Sequence, residues 1–315
     1  MGNQRIGVLM GGCSSEREIS LKSGQAVASA LCSAGYQVEP LVLESEDGAV
    51  NQKFISAAAV DAVFIALHGR YGEDGGIQQV LTEMDLPYTG SDAAASRLAM
   101  DKVGTQGCLQ EAGLPVPAYD IVNRTGPEKA VEIFRRLGGR VVVKPPAEGS
   151  SIGVHSVSNT ADLSRAVTDA LQYGSRVLIE KFIAGRELTV GILDDRALPV
   201  IEICPRGGFF DFRSKYQKGC TEYHVPADLP EETAGRARDA ALTAFQVLGC
   251  RDMARVDMML DQQDNLYLLE VNTIPGFTET SLLPMAAAEA GIGFPRLCSD
   301  LIASALQRQK SERGD

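Results

Sequence analysis

Apolar and polar positions in the first ninety residues alternate between two periods. Arg5-Ile-Gly-Val-Leu-Met10, Gln37–Leu43 and Val60-Asp-Ala-Val-Phe-Ile-Ala-Leu67 are apolar runs of strand length. The stretches around Ile19–Ala34 and Ile77–Met84 repeat at helical spacing, so this part reads as a parallel α/β layer. Its loops Gly11-Gly-Cys-Ser-Ser-Glu16 and His68-Gly-Arg-Tyr-Gly-Glu-Asp-Gly-Gly76 leave the C-terminal ends of strands, where open α/β sheets bind ligands. A second unit runs from about Ser91 to Ala184. It holds a helical stretch through Met100–Ala112, the Leu-Pro-Val-Pro117 break, a helix near Glu128–Leu137, the strand Arg140-Val-Val-Val-Lys144 and a closing strand Arg176–Ile183. The remainder carries strands at Glu187–Leu193 and Leu198–Cys204, a Gly- and aromatic-rich loop, a helix near Glu231–Leu248, an acidic hairpin and a terminal helix. The polar end, Gln307–Asp315, is expected to fray. The expected domains are 1–90, 91–184 and 185–315, with the loop 206–227 as a segment that moves over a cleft.

The hairpin is the most informative pattern. In Arg255-Val-Asp257-Met-Met-Leu-Asp-Gln-Gln-Asp-Asn-Leu-Tyr-Leu-Leu-Glu270-Val-Asn272, a turn at Gln262–Asn265 lies between two apolar strands. Symmetric pairing sets Asp257 opposite Glu270, Arg255 opposite Asn272 and Met259 opposite Leu268 on one face, leaving Val256, Met258, Leu269 and Val271 for a core. Opposed carboxylates destabilise a bare hairpin but suit a site for hard cations and phosphate.

Composition then removes whole classes of function. With 315 residues, 44% hydrophobic and 23% charged, the chain has the make-up of a soluble protein of two or three domains. No apolar run reaches the ~20 residues of a membrane span. The N-terminus goes straight into a strand without the features of a signal peptide, so the cytoplasm is the expected compartment. Seven cysteines without CxxC spacing read as reduced thiols, and Cys13 as a small buried or loop thiol. A net charge of −11 opposes binding to nucleic acid or anionic membrane.

Neither a GxxxxGK(S/T) loop nor a GxGxxG fingerprint is present. Another phosphate cradle is: Val143-Lys144-Pro-Pro-Ala-Glu-Gly149-Ser-Ser-Ile-Gly153 follows a strand with small residues whose N–H groups can approach phosphate oxygens, and Lys144 adds a point charge. A turn that merely needs glycine reads the same. Farther on, Glu180-Lys181-Phe-Ile183 offers a carboxylate, a cation and an apolar segment suited to an adenine edge and ring. The order of two lysines, a glycine loop and an acidic Asp–Glu–Asn hairpin resembles an ATP-grasp enzyme. Within that superfamily, the His68–Gly75 motif, Glu148-Gly-Ser-Ser151, Ser214-Lys-Tyr216 and Arg255-Val-Asp257 with Glu270-Val-Asn-Thr-Ile-Pro-Gly276 resemble the D-alanine–D-alanine ligase family, over nearly the whole chain.

The resemblance implies a three-domain ATP-grasp fold, mixed α/β and α+β, with an N-terminal parallel α/β domain. It implies ATP-dependent ligation of two D-alanines through an acyl phosphate, for peptidoglycan synthesis. Glu16 would face the ammonium of the first D-alanine with His68 close by; on residues alone, Glu16 is equally a first-turn helix acid and His68 a strand-end histidine. Lys144, Glu180, Lys181 and Ile183 would surround adenine and phosphates, Glu187 would meet ribose, and Lys102 and Lys215 phosphate. A lone helix lysine such as Lys102 is otherwise simply solvated. Asp257, Glu270 and Asn272 would hold magnesium or manganese, two ions per site, with Phe209, Met259 and Leu269 near the base. Arg255 and the Gly276 N–H would stabilise a tetrahedral oxyanion. The amides at Ser281 and Leu282, which open a helix with a cap residue, would hold the second D-alanine's carboxylate, although an ordinary capped surface helix looks alike. Tyr216 would reach Glu16 through Ser150 in a closed state. A homodimer is the expected assembly. Gln79, Asp252 and Ile274 depart from the family pattern without removing a proposed ligand. D-lactate or D-serine as second substrate, another carboxylate–amine ligase and an ATP-binding sensor stay open as alternatives; retention of Arg255 argues against the sensor.

Overall fold

The computed structural model describes residues 4–124, 127–206 and 219–313. Its first sheet is parallel, with β1 (Arg5–Gly11) between β2 (Gln37–Leu43) and β3 (Ala62–Ile65). Ile6 through Gly11 are all buried, as the continuous apolar run requires of a strand covered on both faces. Helices α1 (Arg17–Ser33), α2 (Gly48–Ala58) and α3 (Gly76–Glu83) complete this layer. The sequence pattern gave no sign of α2, because only Asn51 and Ile55 of its residues are buried and its apolar stripe is correspondingly thin. Asp47 caps it, accepting from the Val50 N–H at 3.0 Å.

The helical stretch expected over Met100–Ala112 is α5 (Lys102–Glu111), and a separate helix not read from the sequence, α4 (Ala93–Met100), precedes it. Asp101 is extended at the junction, and its side chain caps α5 through the Val103 N–H. That restart puts Lys102 at the first turn of α5, with its N–H bonded to Pro146 O at 2.9 Å. A four-stranded antiparallel sheet follows in the order β4-β7-β5-β6, from β4 (Tyr119–Asn123), β5 (Val141–Lys144), β6 (His155–Val157) and β7 (Arg176–Lys181). Helices α6 (Pro127–Arg136) and α7 (Thr160–Ala170) back it. Leu163, Ala166, Val167 and Ala170 face the shared core at helical spacing, a signal from which α7 was readable.

The third sheet is antiparallel, in the order β11-β10-β8-β12-β13 with β9 on β8. Its strands are β8 (Gly185–Leu193), β9 (Arg196–Ala197), β10 (Ile201–Pro205), β11 (Thr221–His224), β12 (Met253–Asp261) and β13 (Leu266–Asn272). Helix α8 (Glu231–Val247) packs on one face through Ala237, Ala241, Ala244 and Phe245. The chain ends in α9 (Leu282–Glu289) and α10 (Phe294–Arg313), which join β1, α1 and β3 in one core. The tail expected to fray from Gln307 is therefore helical to Arg313. Arg308 donates to Tyr88 O at 2.7 Å and to the Asp252 carboxylate, and Gln309 to Asp85 O at 2.6 Å.

Asp252, one of the departures from the family pattern, has a reason here. It holds a left-handed backbone (φ 60°), is buried, and accepts from both the Gly90 N–H at 2.7 Å and Arg308. The residue thus ties three distant segments together, with its charge matched by the Arg308 guanidinium. No described helix is long and apolar enough to cross a membrane.

The hairpin pairs as expected at Arg255↔Asn272 and Asp257↔Glu270, but not beyond. Its register shifts after Asp257, so Met258 pairs with Leu268 and Met259 with Tyr267. The extra residue leaves Leu268 and Val271 in the core, while Leu269 joins Glu270 and Met259 on the cleft face. The symmetric pairing had put Leu269 on the core face and Leu268 beside Met259. A turn alone cannot reveal a bulge five residues away from it, whereas the need to bury both Leu268 and Val271 three positions apart does.

Candidate active site

The four-stranded and six-stranded sheets face each other across a cleft of about 380 Å³. Strand parity decides what enters it. On β5 and β7, Val141, Val143, Val177 and Ile179 belong to the core, so Val142, Lys144 and Glu180 look into the cleft. Val142 is paired with Glu180, which makes Lys144 a diagonal neighbour of Glu180, and the long lysine closes the gap with Nζ 2.7 Å from Oε2. Both groups are buried (6% and 2% exposed), and Gln106 of α5 donates to the other Glu180 oxygen. Gln106 follows Lys102 by four residues, one helical turn, and that spacing could have exposed it.

From the other sheet come Glu187, Asp257, Met259, Leu269 and Glu270. Asp257 is 4% exposed and fully engaged. The Arg255 fork donates through Nε to Oδ1 at 2.8 Å and through Nη2 to Oδ2 at 2.6 Å, Thr189 donates to Oδ1 at 2.6 Å, and Asn272 Nδ2 to Oδ2 at 3.2 Å. Thr189 was not anticipated, because it is next to Asp257 only through the β8–β12 pairing. Glu270 pairs with Lys102 at 3.2 Å, and Lys102 also donates to Glu148 O at 2.8 Å. The expected nucleotide residues Lys102, Lys144, Glu180, Lys181, Ile183 and Glu187 thus share one cleft with Asp257 and Glu270. Lys181 is exposed at its edge, and Asn272 lines a narrow gap reached past Lys102 and Glu270. Lys215, Phe209 and Tyr216 lie outside the described residues, as does most of the 206–227 loop.

Glu148 borders both this cleft and a second, more polar cavity of about 300 Å³ around Glu16. Burial pushes the Glu148 carboxyl above its ordinary value, against the pull of Arg70 and Lys102. Glu16 is buried at the floor of the second cavity, and Ser150 donates to its carboxylate. A Cβ at Gly69 would stand 2.6 Å from Glu16 Oε2, and one at Gly149 3.0 Å, so the two glycines let both loops close on this acid. Ser150 and Ser151 both hold positive φ (50° and 58°), strain gathered where the cavities meet. Arg70 lines the same cavity and gives it a cation that the motif contained but the sequence argument left unassigned.

His68 is buried with both ring nitrogens engaged. Nε2 is 3.0 Å from Ser23 Oγ, and Nδ1 is 3.2 Å from Ile274 O and 3.6 Å from Glu73. Nδ1 must carry the proton to serve the carbonyl, leaving Nε2 to accept from Ser23. Ser23 Oγ also takes the Phe277 N–H at 3.3 Å, so His68 stands against the segment bearing Gly276. The Gly276 N–H has no hydrogen bond to protein among the described residues. Ser281 does not cap α9 in the expected way: its Oγ accepts from the Thr278 N–H at 3.1 Å instead of an N–H of its own helix. The serine is occupied by the turn before it, and the first-turn amides at Leu282 and Leu283 are left uncapped by it.

Comparison with known proteins agrees with this geometry. The family model described as D-ala D-ala ligase C-terminus matches residues 108–303, and that described as D-ala D-ala ligase N-terminus matches 44–91. The chain is 46% identical over 309 residues to a D-alanine–D-alanine ligase of Desulforudis audaxviator, covering 97% of this chain and 99% of that protein. It is 44% identical over 307 residues to one of Syntrophotalea carbinolica, covering 97% of each. Among solved structures, the D-alanine–D-alanine ligase of Bacillus anthracis complexed with ATP superposes with a TM-score of 0.85 at 33% identity, covering 99% of this chain and 100% of that one. The VanG D-Ala:D-Ser ligase of Enterococcus faecalis gives 0.83 at 28% identity, covering 96% and 100%. With a family model matching more than half its length and relatives this similar from end to end, the chain belongs to the D-alanine–D-alanine ligase family.

Proposed function

We propose that this protein joins two molecules of D-alanine into D-alanyl-D-alanine at the expense of ATP, releasing ADP and phosphate, for peptidoglycan synthesis. One observation carries the reading: a lysine-bearing cleft between two antiparallel sheets abuts, at Glu148, a cavity built around the buried Glu16. Four relatives named D-alanine–D-alanine ligase stand at 43–46% identity over nearly the whole chain, which supports D-alanine as the second substrate.

The residues divide the work by chemistry. Ile183, Met259 and Leu269 offer apolar surface for adenine, Glu180 and Lys181 its polar edge, and Glu187 an acceptor for ribose hydroxyls. Lys102 and Lys144 face the phosphates, with Lys215 assigned there too. Among the described residues, four basic and six acidic side chains line the cleft, so a nucleotide polyanion meets a wall that is itself net negative. The all-oxygen donors of Asp257, Glu270 and Asn272 on paired strands fit magnesium or manganese, two ions in this proposal, which when bound would offset that charge.

In the adjoining cavity Glu16 holds the first D-alanine's ammonium, with His68 behind the lining, its carbonyl accepting from the Ser14 hydroxyl at 2.7 Å. A carboxylate oxygen of that first D-alanine attacks the γ-phosphorus of ATP, and ADP departs to leave the D-alanyl acyl phosphate. The neutral amine of the second D-alanine then attacks the acyl carbon; phosphate leaves with the bonding electrons and takes up the proton that the nitrogen gives up. Arg255 and the Gly276 N–H stabilise the oxyanion in between, while the first-turn amides at Leu282 and Leu283 hold the second carboxylate, the Ser281 N–H being bonded to Thr278 O at 2.9 Å. Tyr216, acting through Ser150, orients Glu16 when the site is closed. The proposal includes a cytoplasmic homodimer and lobes divided as 1–90, 91–184 and 185–315.

Phosphate release measured with D-alanine, L-alanine, D-serine and D-lactate, with the product weighed by mass spectrometry, tests the reaction. D-alanine should give the dipeptide fastest. Glu270→Gln should lower turnover sharply and shift the magnesium requirement upward. Turnover equal to the unaltered protein at limiting magnesium would overturn the role of the hairpin.

A further inference from the structure

In the same sheet as Asp257, beyond β8, strands β10 and β11 put four metal-binding side chains on one face. Their register opposes Glu202 to His224 and Cys204 to Glu222, and alternation turns all four the same way. One ligand atom each from Glu202, Cys204 and His224 lies within 4.8 Å of the others. His224 Nδ1 is 3.3 Å from Glu202 Oε2, and on the far side of the ring Nε2 is 3.8 Å from Glu222 Oε1. A carboxylate behind the second imidazole nitrogen is the arrangement that fixes tautomer and orientation in histidine–zinc sites.

We propose that Glu202, Cys204 and His224 Nδ1 form a binding site for a borderline-soft divalent cation such as Zn²⁺, with Glu222 orienting the histidine. Sulfur, nitrogen and one carboxylate favour such an ion over magnesium, which selects oxygen donors. Tetrahedral bonds of about 2.0–2.3 Å require the three atoms to draw slightly closer. His224 is exposed and Cys204 only partly buried, so both can move. Glu202 is the fixed member. Arg186 holds it with Nε 2.7 Å from Oε1 and Nη2 2.6 Å from Oε2, and Asp228 O anchors the same guanidinium at 2.8 Å. Without metal, the His224 Nδ1–H points at Glu202 Oε2; the cation takes the place of that proton. Burial and the neighbouring Glu202 push the Cys204 thiol up, so binding must also release the thiol proton.

The site is distinct from the oxygen site at Asp257, Glu270 and Asn272, and a thiolate tells them apart. The metal-free full-length protein would be titrated with Co²⁺ and followed by absorption, then challenged with Zn²⁺ and with excess Mg²⁺. The expected result is a thiolate-to-cobalt charge-transfer band that saturates at one equivalent, is displaced by Zn²⁺ and is unmoved by Mg²⁺. Cys204→Ala should abolish the band although six of the seven cysteines remain. Glu222→Gln should weaken Co²⁺ binding about tenfold or more while keeping the band. Circular dichroism without metal confirms that each variant is folded, and His224→Gln replaces Cys204→Ala if the latter is not. No band at saturating Co²⁺, one that survives Cys204→Ala or His224→Gln in a folded variant, or Co²⁺ binding unweakened by Glu222→Gln, overturns the proposal.

Discussion

Replacing Lys144 by methionine separates what the cleft needs for stability from what it needs for nucleotide. Lys144 and Glu180 form an ion pair at 2.7 Å with side chains 8% and 3% exposed, and Gln106 satisfies the second Glu180 oxygen. Water cannot take over the role of the missing ammonium at such burial. Removing one member of a buried pair costs about 3–5 kcal/mol, most of it from the charge left behind. For a chain of this size roughly 2 °C of Tm accompanies each kcal/mol, so Lys144→Met should melt about 6–10 °C lower. The double variant Lys144→Met/Glu180→Leu removes both charges and should recover most of that loss. Neither variant should be protected by ATP, whereas the unaltered protein at a hundredfold excess over Kd gains about 2.7 kcal/mol. With Glu180→Leu as the fourth species, differential scanning fluorimetry with and without ATP reads the double-mutant cycle. A double variant that melts as low as Lys144→Met would refute the charge-burial argument. ATP protection retained in the double variant would refute the role of the pair in the nucleotide cleft.

Arg255→Lys replaces the planar fork on Asp257 by a point charge, and turnover should fall by the equivalent of about 2.7–4 kcal/mol; a change confined to the KM for ATP would instead make Arg255 a nucleotide contact. Asp252→Asn keeps an acceptor for Gly90 but loses the charge facing Arg308, at about 1–3 kcal/mol in urea unfolding. Asp252→Ala should cost more, because alanine also has to hold φ 60°, and equal values for the two would contradict the account. Glu148 has a raised folded-state pKa, so its contribution is favourable below the ordinary carboxylate range and is lost as pH rises through the raised value. Glu148→Gln should therefore melt higher than the unaltered protein at neutral pH without ligand, with the difference vanishing in acid. A constant difference across pH would show that the carboxyl is not the cause.

Sequence pattern alone places β1, β2, β3, β5, β7, β8, β10 and the β12–β13 hairpin, the order of the motifs and most groups in the cleft; it misses β4, β6, β9 and β11, the last inside the segment expected to be a loop. Period-two alternation is a property of the backbone, so Asp257 and Glu270 could be assigned to one face before any fold was known, whereas Lys144, after three valines, could not. Asp257 opposite Glu270 needed only a short turn between two apolar runs, which is local information. What the tertiary structure decided is everything that depends on pairing between distant segments. Thr189 reaches Asp257 because β8 lies beside β12, and Gln106 reaches Glu180 from α5, a helix packed against β13 of the other sheet. The bulge that returns Leu269 to the cleft follows from burying Leu268 and Val271 together, a demand the core makes and the turn does not. Asp252 looked like a departure from a pattern until Gly90 and Arg308, 162 and 56 residues away, were seen to share its carboxylate. Likewise, the serine before α9 reads as a helix cap in sequence and is a turn acceptor in space, because the competing Thr278 N–H comes from the loop before it. Short-range patterns fix which atoms a segment can present; long-range packing fixes which partners they meet, since hydrogen bonds and charges respond to distance in space and not along the chain.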